Sequence, residues 1–238
     1  MRLLDIDLFA PIFGELKGLR VGIVDGIGNV GDSLLYLATR RLCDEFEVEH
    51  FTVNVLAEDP VPSCDKLLLF AGGNVGFPEC QTIRKKAFES KIPCWMLPQS
   101  VFKEEFLPFE RLFFRDSISR DIIGRGEIVP DLALGFDFPE IDKEKSGDEL
   151  FLRKTNETVF SHIPIVHKKD PASFCFAPQQ YWEYAAQFQA ITTDRLHFAI
   201  CGLAMKSQVT LLPIHYHKNK TIFDEYLSDM GCLWKETV

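Results

Sequence analysis

An alternation of short apolar runs of strand length with stretches of helical spacing extends over most of the chain, and it constrains the fold more than any other feature of the sequence. Leu19 to Val24 (LRVGIV) is apolar and breaks at Gly26-Ile27-Gly28; Ser33 to Cys43 then carries Leu34, Leu37, Ala38 and Leu42. Apolar residues three and four apart mark one face of a helix, so this segment reads as strand, glycine turn, helix. Further strands are predicted over Val48 to Val55, over Lys66 to Ala71 ending in Gly72-Gly73, over Ile92 to Leu97 stopped by Pro98, and over Leu112 to Arg115. Helices are predicted near Glu79 to Glu89 and over Ser117 to Ile123, the latter capped by Asp116 or Ser117. Repeated βα units imply a largely parallel sheet with helices on its faces.

The alternation is interrupted once. Glu140 to Asp148 (EIDKEKSGD) is polar and charged, the composition of a linker, and divides the chain into an N-terminal Rossmann-like domain, 1–139, and a smaller C-terminal one, 149–238. The second half reads as α/β too: strands over Glu149 to Arg153, Ala190 to Thr193 and Val209 to Leu212, and helices over Pro178 to Gln189, Arg195 to Met205 and Thr221 to Met230. Two such domains facing a cleft would place chemistry beyond the carboxyl ends of their strands.

Composition removes several function classes. The chain has 26 Lys+Arg against 35 Asp+Glu, a net charge of −9, which disfavours a nucleic-acid partner. No apolar run approaches the ~20 residues that span a bilayer. Asp5 and Asp7 interrupt the first apolar stretch, so no secretory signal is expected, and the expected location is cytoplasmic or peripheral to the inner membrane face. Seven cysteines, scattered and without a CxxC pair, read as small core hydrophobes rather than a disulfide framework or zinc ribbon. His215 and His217 alternate as a strand would place them on one face, but nothing is spaced to complete a metal set, and no metal is expected.

Gly26-Ile27-Gly28-Asn29-Val30-Gly31 is a literal GxGxxG between a strand and a helix, with Glu45, Glu47 and Glu49 roughly ~20 residues downstream where a ribose-binding acid belongs. Against a dinucleotide stands Asp32, an anion in the first helical turn, where a pyrophosphate needs bare N–H groups. Two alternatives stay open: a capping turn with no ligand, and a turn in which Asp32 is the cap and Asn29 and Asp32 present polar atoms to a hydroxyl-bearing ligand.

Three basic residues fall where strands end. Arg115 closes Leu112-Phe113-Phe114, and Arg195 and His197 open a helix with Leu196 between them, leaving the first turn about 200° apart in azimuth. If they converge, the site holds two arginines for a small dianion and one imidazole able to give or take a proton. The competing readings are structural ion pairs for the arginines and a helix-capping role for His197.

In this order, Asn29-Val30-Gly31-Asp32, Ala71-Gly72-Gly73, Leu97-Pro98-Gln99-Ser100, Phe114-Arg115-Asp116-Ser117-Ile118-Ser119, Pro130-Asp131-Leu132-Ala133 and Thr193-Asp194-Arg195-Leu196-His197 resemble the motifs of the polysaccharide pyruvyl transferase family. The resemblance runs from about Val21 to Lys220 and includes a closing segment with Pro213, Tyr216 and a lysine, here Lys218 or Lys220. It implies two facing Rossmann-type domains of the GT-B kind and transfer of the enolpyruvyl unit of phosphoenolpyruvate to two sugar hydroxyls, giving a cyclic pyruvate ketal. It also implies a catalytic set of His197, Arg195 and Asp32, and a substrate-binding set of Arg115, Asn29, Gly73, Gln99, Ser100, Leu196 and Lys218. Phosphoenolpyruvate is then the donor substrate, with no cofactor, and the other partner is a glycan acceptor, free or lipid-linked; a homo-oligomer stays open. A GT-B nucleotide-sugar transferase and a non-catalytic glycan-binding relative are the alternatives.

Overall fold

The computed structural model describes all 238 residues except Asp25, Ile27, Glu58, Asp59 and Leu107, and the side chains of Asn74 and Glu79 also lie outside it. The centre of the glycine turn, at Ile27, is therefore outside the described residues. The chain divides into two compact units: an N-terminal unit of residues 4–28 and 35–136, and a C-terminal unit of residues 1–3, 29–34 and 137–238.

The N-terminal unit begins with a short helix, α1 (Ala10–Phe13), and continues through β1 (Arg20–Val24), the body of α2 (Val30–Glu45), β2 (Glu49–Val53), β3 (Lys66–Leu69), β4 (Gly72–Val75), α3 (Pro78–Glu89), β5 (Cys94–Val101), β6 (Arg111–Phe114), α4 (Ser117–Ile123) and β7 (Glu127–Ile128). Its sheet has the order β2-β1-β3-β5-β6-β7, with β4 pairing β5, and every pairing is parallel. Apolar side chains from several of these elements, among them Val24, Leu67, Ile83, Met96, Leu112 and Phe114, close one core.

Two expectations are corrected here. Pro98 does not stop its strand: β5 runs on to Val101, and all eight of its residues are buried. The register against β6 shifts between Met96 and Gln99, so Pro98 sits in an irregularity of the ladder, where a missing N–H costs no sheet hydrogen bond. Gly72-Gly73, read as the end of a strand, instead opens β4; Gly72 has φ +122°, a backbone only glycine adopts readily, and this redirects the chain alongside β5.

The C-terminal unit contains β8 (Asp148–Phe151), α5 (Pro178–Ala185), β9 (Ala190–Thr193), α6 (Leu196–Ala204), β10 (Gln208–Leu211), α7 (Lys218–Ile222), continued by one π turn over Phe223–Leu227, and a short β11 (Leu233–Trp234). The four strands pair in parallel in the order β11-β10-β9-β8. Both sheets are thus parallel and helix-flanked, the α/β class expected. The apolar composition of α6 reflects its position: Leu196, Phe198, Ala199, Ile200, Cys201, Gly202, Leu203 and Ala204 are all buried. At Gly202 a side chain would lie 2.9 Å from Val209 Cγ2 and 3.0 Å from Ile191 Cδ1, so glycine sets how closely this helix approaches β9 and β10. The strand alternation expected for His215 and His217 is not formed. Ile214 makes only an isolated antiparallel bridge to Thr158, His215 is exposed, and His217 is the N-cap of α7.

Among the described residues no helix is long and apolar enough to cross a membrane, and no group of three or more His, Cys, Asp or Glu could hold a metal. All seven cysteines are free. Burial, the leading cause in each case, pushes the Cys43 and Cys94 thiols up to about 12 and those of Cys175 and Cys232 to about 11, which suits core hydrophobes.

Candidate active site

The first turn of α2 is built by its own sequence. Helical geometry begins at Val30, which makes Asn29 the N-cap: its Oδ1 accepts the Gly31 N–H at 2.8 Å, while the Asp32 Oδ2 accepts the Asn29 backbone N–H at 2.8 Å and its Nδ2–H at 2.9 Å. This is the reciprocal arrangement of a capping box, with Asp in place of Glu or Gln. The cap is therefore Asn29, and Asp32 closes the turn from the third helical position rather than capping the helix itself. The turn clusters with the C-terminal unit, where Gly31 lies against His197.

Arg195 and His197 leave the end of β9 in different directions. Arg195 is not helical: it is the N-cap of α6 with extended backbone, φ −92° and ψ 103°. Its guanidinium pairs side-on with Asp170, Nε to Oδ1 at 3.0 Å and Nη2 to Oδ2 at 2.6 Å, leaving the Nη1 corner of the fork outside the pair. Burial alone would raise the Asp170 carboxyl, but the hydrogen bond and charge of Arg195 outweigh it and hold the group below its ordinary range. His197, at the second position of α6, is the one residue of that helix that is only partly buried. Leu196 between them is buried.

A second polar group at the carboxyl ends of β8 and β9 joins Lys218 and Asp194, both within segments noted in the sequence, to Arg153 and Glu157, which were not singled out. Arg153 donates its backbone N–H to Asp194 Oδ1 at 2.8 Å and places Nη1 2.6 Å from Glu157 Oε1; Lys218 Nζ lies 3.0 Å from Glu157 Oε2 and 5.0 Å from the centre of the Tyr216 ring. Burial pushes Glu157 upward, yet Lys218 and Arg153 together bring it down to about 2. Asp194 goes the other way. Wholly buried, with Oδ2 lacking a hydrogen-bond partner among the described residues, it is raised by desolvation against the pull of Arg153. Asn219 donates to the Asp194 and Leu212 carbonyls, both at 2.9 Å. The only sequence signal for Arg153, Glu157 and Asp170 was position after or near a strand, and nothing local distinguishes them from surface charges.

The remaining expected residues belong to the N-terminal unit. Arg115 is 1% exposed. Its Nε donates to Ser100 Oγ at 2.8 Å and its Nη1 to Asp131 Oδ2 at 2.6 Å. Ser100 in turn donates to Asp116 Oδ2 at 2.6 Å, Asp116 caps α4 through the Ser119 N–H, and Ser119 Oγ accepts the Val101 N–H. Three separated motifs thus close into one buried network. Arg115, expected to contact the substrate, has its guanidinium met by Asp131 and Ser100 inside its own unit, where it braces the ends of β5 and β6. Gln99, also buried, donates from Nε2 to the Phe70 carbonyl, and Gly73 lies half-buried in β4.

Two parallel, helix-flanked α/β sheets give the chain a Rossmann-like class of fold, with His197 where β9 passes into α6. The chain belongs to the polysaccharide pyruvyl transferase family, whose model matches residues 29–216. No curated protein matches. Among solved structures, an uncharacterized protein of Klebsiella pneumoniae subsp. pneumoniae NTUH-K2044, KP1_0663, is similar with a TM-score of 0.76 and 15% identity over 97% of each chain, a likeness of fold. A galactofuranose binding protein (TM-score 0.35, 9% identity, 82% of this chain and 75% of that one) and the glycotransferase of kitacinnamycin (0.41, 9%, 92% and 86%) are too distant to carry an argument.

Proposed function

We propose that this chain transfers the enolpyruvyl unit of phosphoenolpyruvate to two hydroxyls of one sugar, forming a pyruvate ketal and releasing phosphate. The observation that carries this reading beyond family membership is His197. It is the one α6 residue not fully buried, and it stands two residues beyond an arginine whose fork is held rigid by a buried carboxylate. In the proposed reaction His197 delivers a proton to the methylene carbon of the donor, which makes C2 electrophilic. The first sugar hydroxyl adds to C2 and gives up its proton, the C2–O bond to phosphate breaks, and the second hydroxyl closes the ketal with loss of its proton. Arg195, oriented by Asp170, serves the donor oxyanions from the Nη1 side. Lys218 supplies a further positive charge, while Asp32 and Asn29 act by shaping the α2 turn rather than as a base.

The test is phosphate release from phosphoenolpyruvate with a panel of galactosides, glucosides and N-acetylmannosamine glycans, free and lipid-linked. Arg195→Lys keeps a cation for Asp170 but loses the planar fork. Turnover should fall well over tenfold while the unfolding midpoint stays within a few degrees of wild type. Phosphate release by Arg195→Lys at the wild-type rate would remove Arg195 from the reaction, and no release by wild type with any acceptor would remove the reading itself.

A further inference from the structure

Gly31 occupies the second position of α2, where its backbone needs no glycine: its φ is outside the left-handed region, and alanine is the better helix former. What glycine supplies is an absent carbon. A Cβ built there would stand 2.5 Å from His197 Nδ1, 3.2 Å from His197 Cβ and 3.1 Å from Asn29 Oδ1. The first of these is far inside the ~3.5–4.0 Å at which non-bonded heavy atoms attract. The turn cannot easily yield, because Asn29 and Asp32 tie it from both ends. Nor does His197 stand on a soft element, since every other residue of α6 is buried.

We propose that Gly31 is a positioning residue for the His197 imidazole. The bare Cα of the α2 turn is the wall against which the Nδ1 edge of the ring seats, so the absence of a side chain at position 31 fixes the ring plane and leaves Nε2 as the nitrogen that handles the proton. The catalytic half of this inference rests on the proposed role of His197; the steric half does not.

The test substitutes Gly31→Ala in wild type and in His197→Ala, reading thermal midpoints, the ¹⁵N resonances of the His197 ring and, where wild type turns over, kcat and KM for phosphoenolpyruvate. In the wild-type background, Gly31→Ala should move the His197 ¹⁵N shifts and lower kcat at least tenfold with KM changed less than threefold. The midpoint loss caused by Gly31→Ala should be at least halved once the imidazole is gone, because the 2.5 Å clash leaves with the ring and only the milder contacts, 3.1 Å to Asn29 Oδ1 and 3.2 Å to the Cβ at position 197, remain. If Gly31→Ala alone fails to fold, folding of the double variant supports the proposal and its failure overturns it. Unchanged ¹⁵N shifts, or an equal midpoint loss in both backgrounds, also overturn it. Should wild type release no phosphate from phosphoenolpyruvate, the functional reading falls, while the midpoints and ¹⁵N shifts still decide the role of Gly31.

Discussion

Asp131→Asn tests whether the buried network of the N-terminal unit is the brace described. Asp131 and Arg115 are 0% and 1% exposed, with Nη1 2.6 Å from Oδ2, and the other carboxylate oxygen accepts the Ala133 N–H at 3.0 Å. Asparagine keeps nearly the same volume but has one acceptor oxygen in place of two, so the change removes the charge and one of these two accepted hydrogen bonds. Removing one partner of a buried pair costs about 3–5 kcal/mol, because the remaining ion stays desolvated without its counter-charge. The single amide oxygen, turned toward Arg115, gives the guanidinium a neutral acceptor at the expense of the Ala133 N–H, which places the expected loss near the lower end, about 3 kcal/mol. For a chain of this size each kcal/mol moves the midpoint by about 2–4 °C, so a fall of roughly 6–12 °C is expected by calorimetry or by circular dichroism on heating. Arg115→Met should lose stability too, and the double variant should lose clearly less than the sum, since Asp131→Asn leaves no unpaired guanidinium once Arg115 is gone. A midpoint for Asp131→Asn within about 2 °C of wild type, or strict additivity, would refute the reasoning.

Two further predictions concern the C-terminal unit. Glu157 is held at about 2 against an ordinary value of 4.5, so its contribution is fully present above about pH 4.5 and is lost as the pH falls toward 2; the difference corresponds to about 3 kcal/mol. Urea titrations between pH 6 and pH 2.5 should show wild type losing more stability than Glu157→Gln, and parallel curves would contradict the Arg153–Glu157–Lys218 arrangement. Gly202→Ala should cost about 1–3 kcal/mol by overpacking α6 against Val209 and Ile191, read as a lower thermal midpoint. A midpoint at or above the wild-type value would mean that the helix shifts at no cost.

Periodicity carried the element map well because it reports burial, and burial is the same physics in any fold. The predicted limits of α4 and β9 coincide with those observed, and β1, β6 and β10 differ by only a residue or so at each end. Pro98 misled because proline forbids a sheet hydrogen bond only where one is required, and whether one is required depends on the neighbouring strand. The helix of Pro178 ends at Ala185, short of Gln189, since the last turn before β9 is a matter of connection geometry rather than of apolar spacing.

For the site, the sequence alone determined which residue types stand at strand ends: Arg115, Arg195 and His197, together with the Asn29 to Asp32 turn. It could not say what each charge meets. Asp170 lies 25 residues before Arg195, Glu157 lies 61 before Lys218, and Asp131 lies 16 beyond Arg115. A buried cation must find a carboxylate, but which of the 35 acids it finds is decided by how the strands bring distant segments together. The same holds for Gly31, a motif glycine in the sequence that the tertiary structure turns into the space beside an imidazole 166 positions further along the chain.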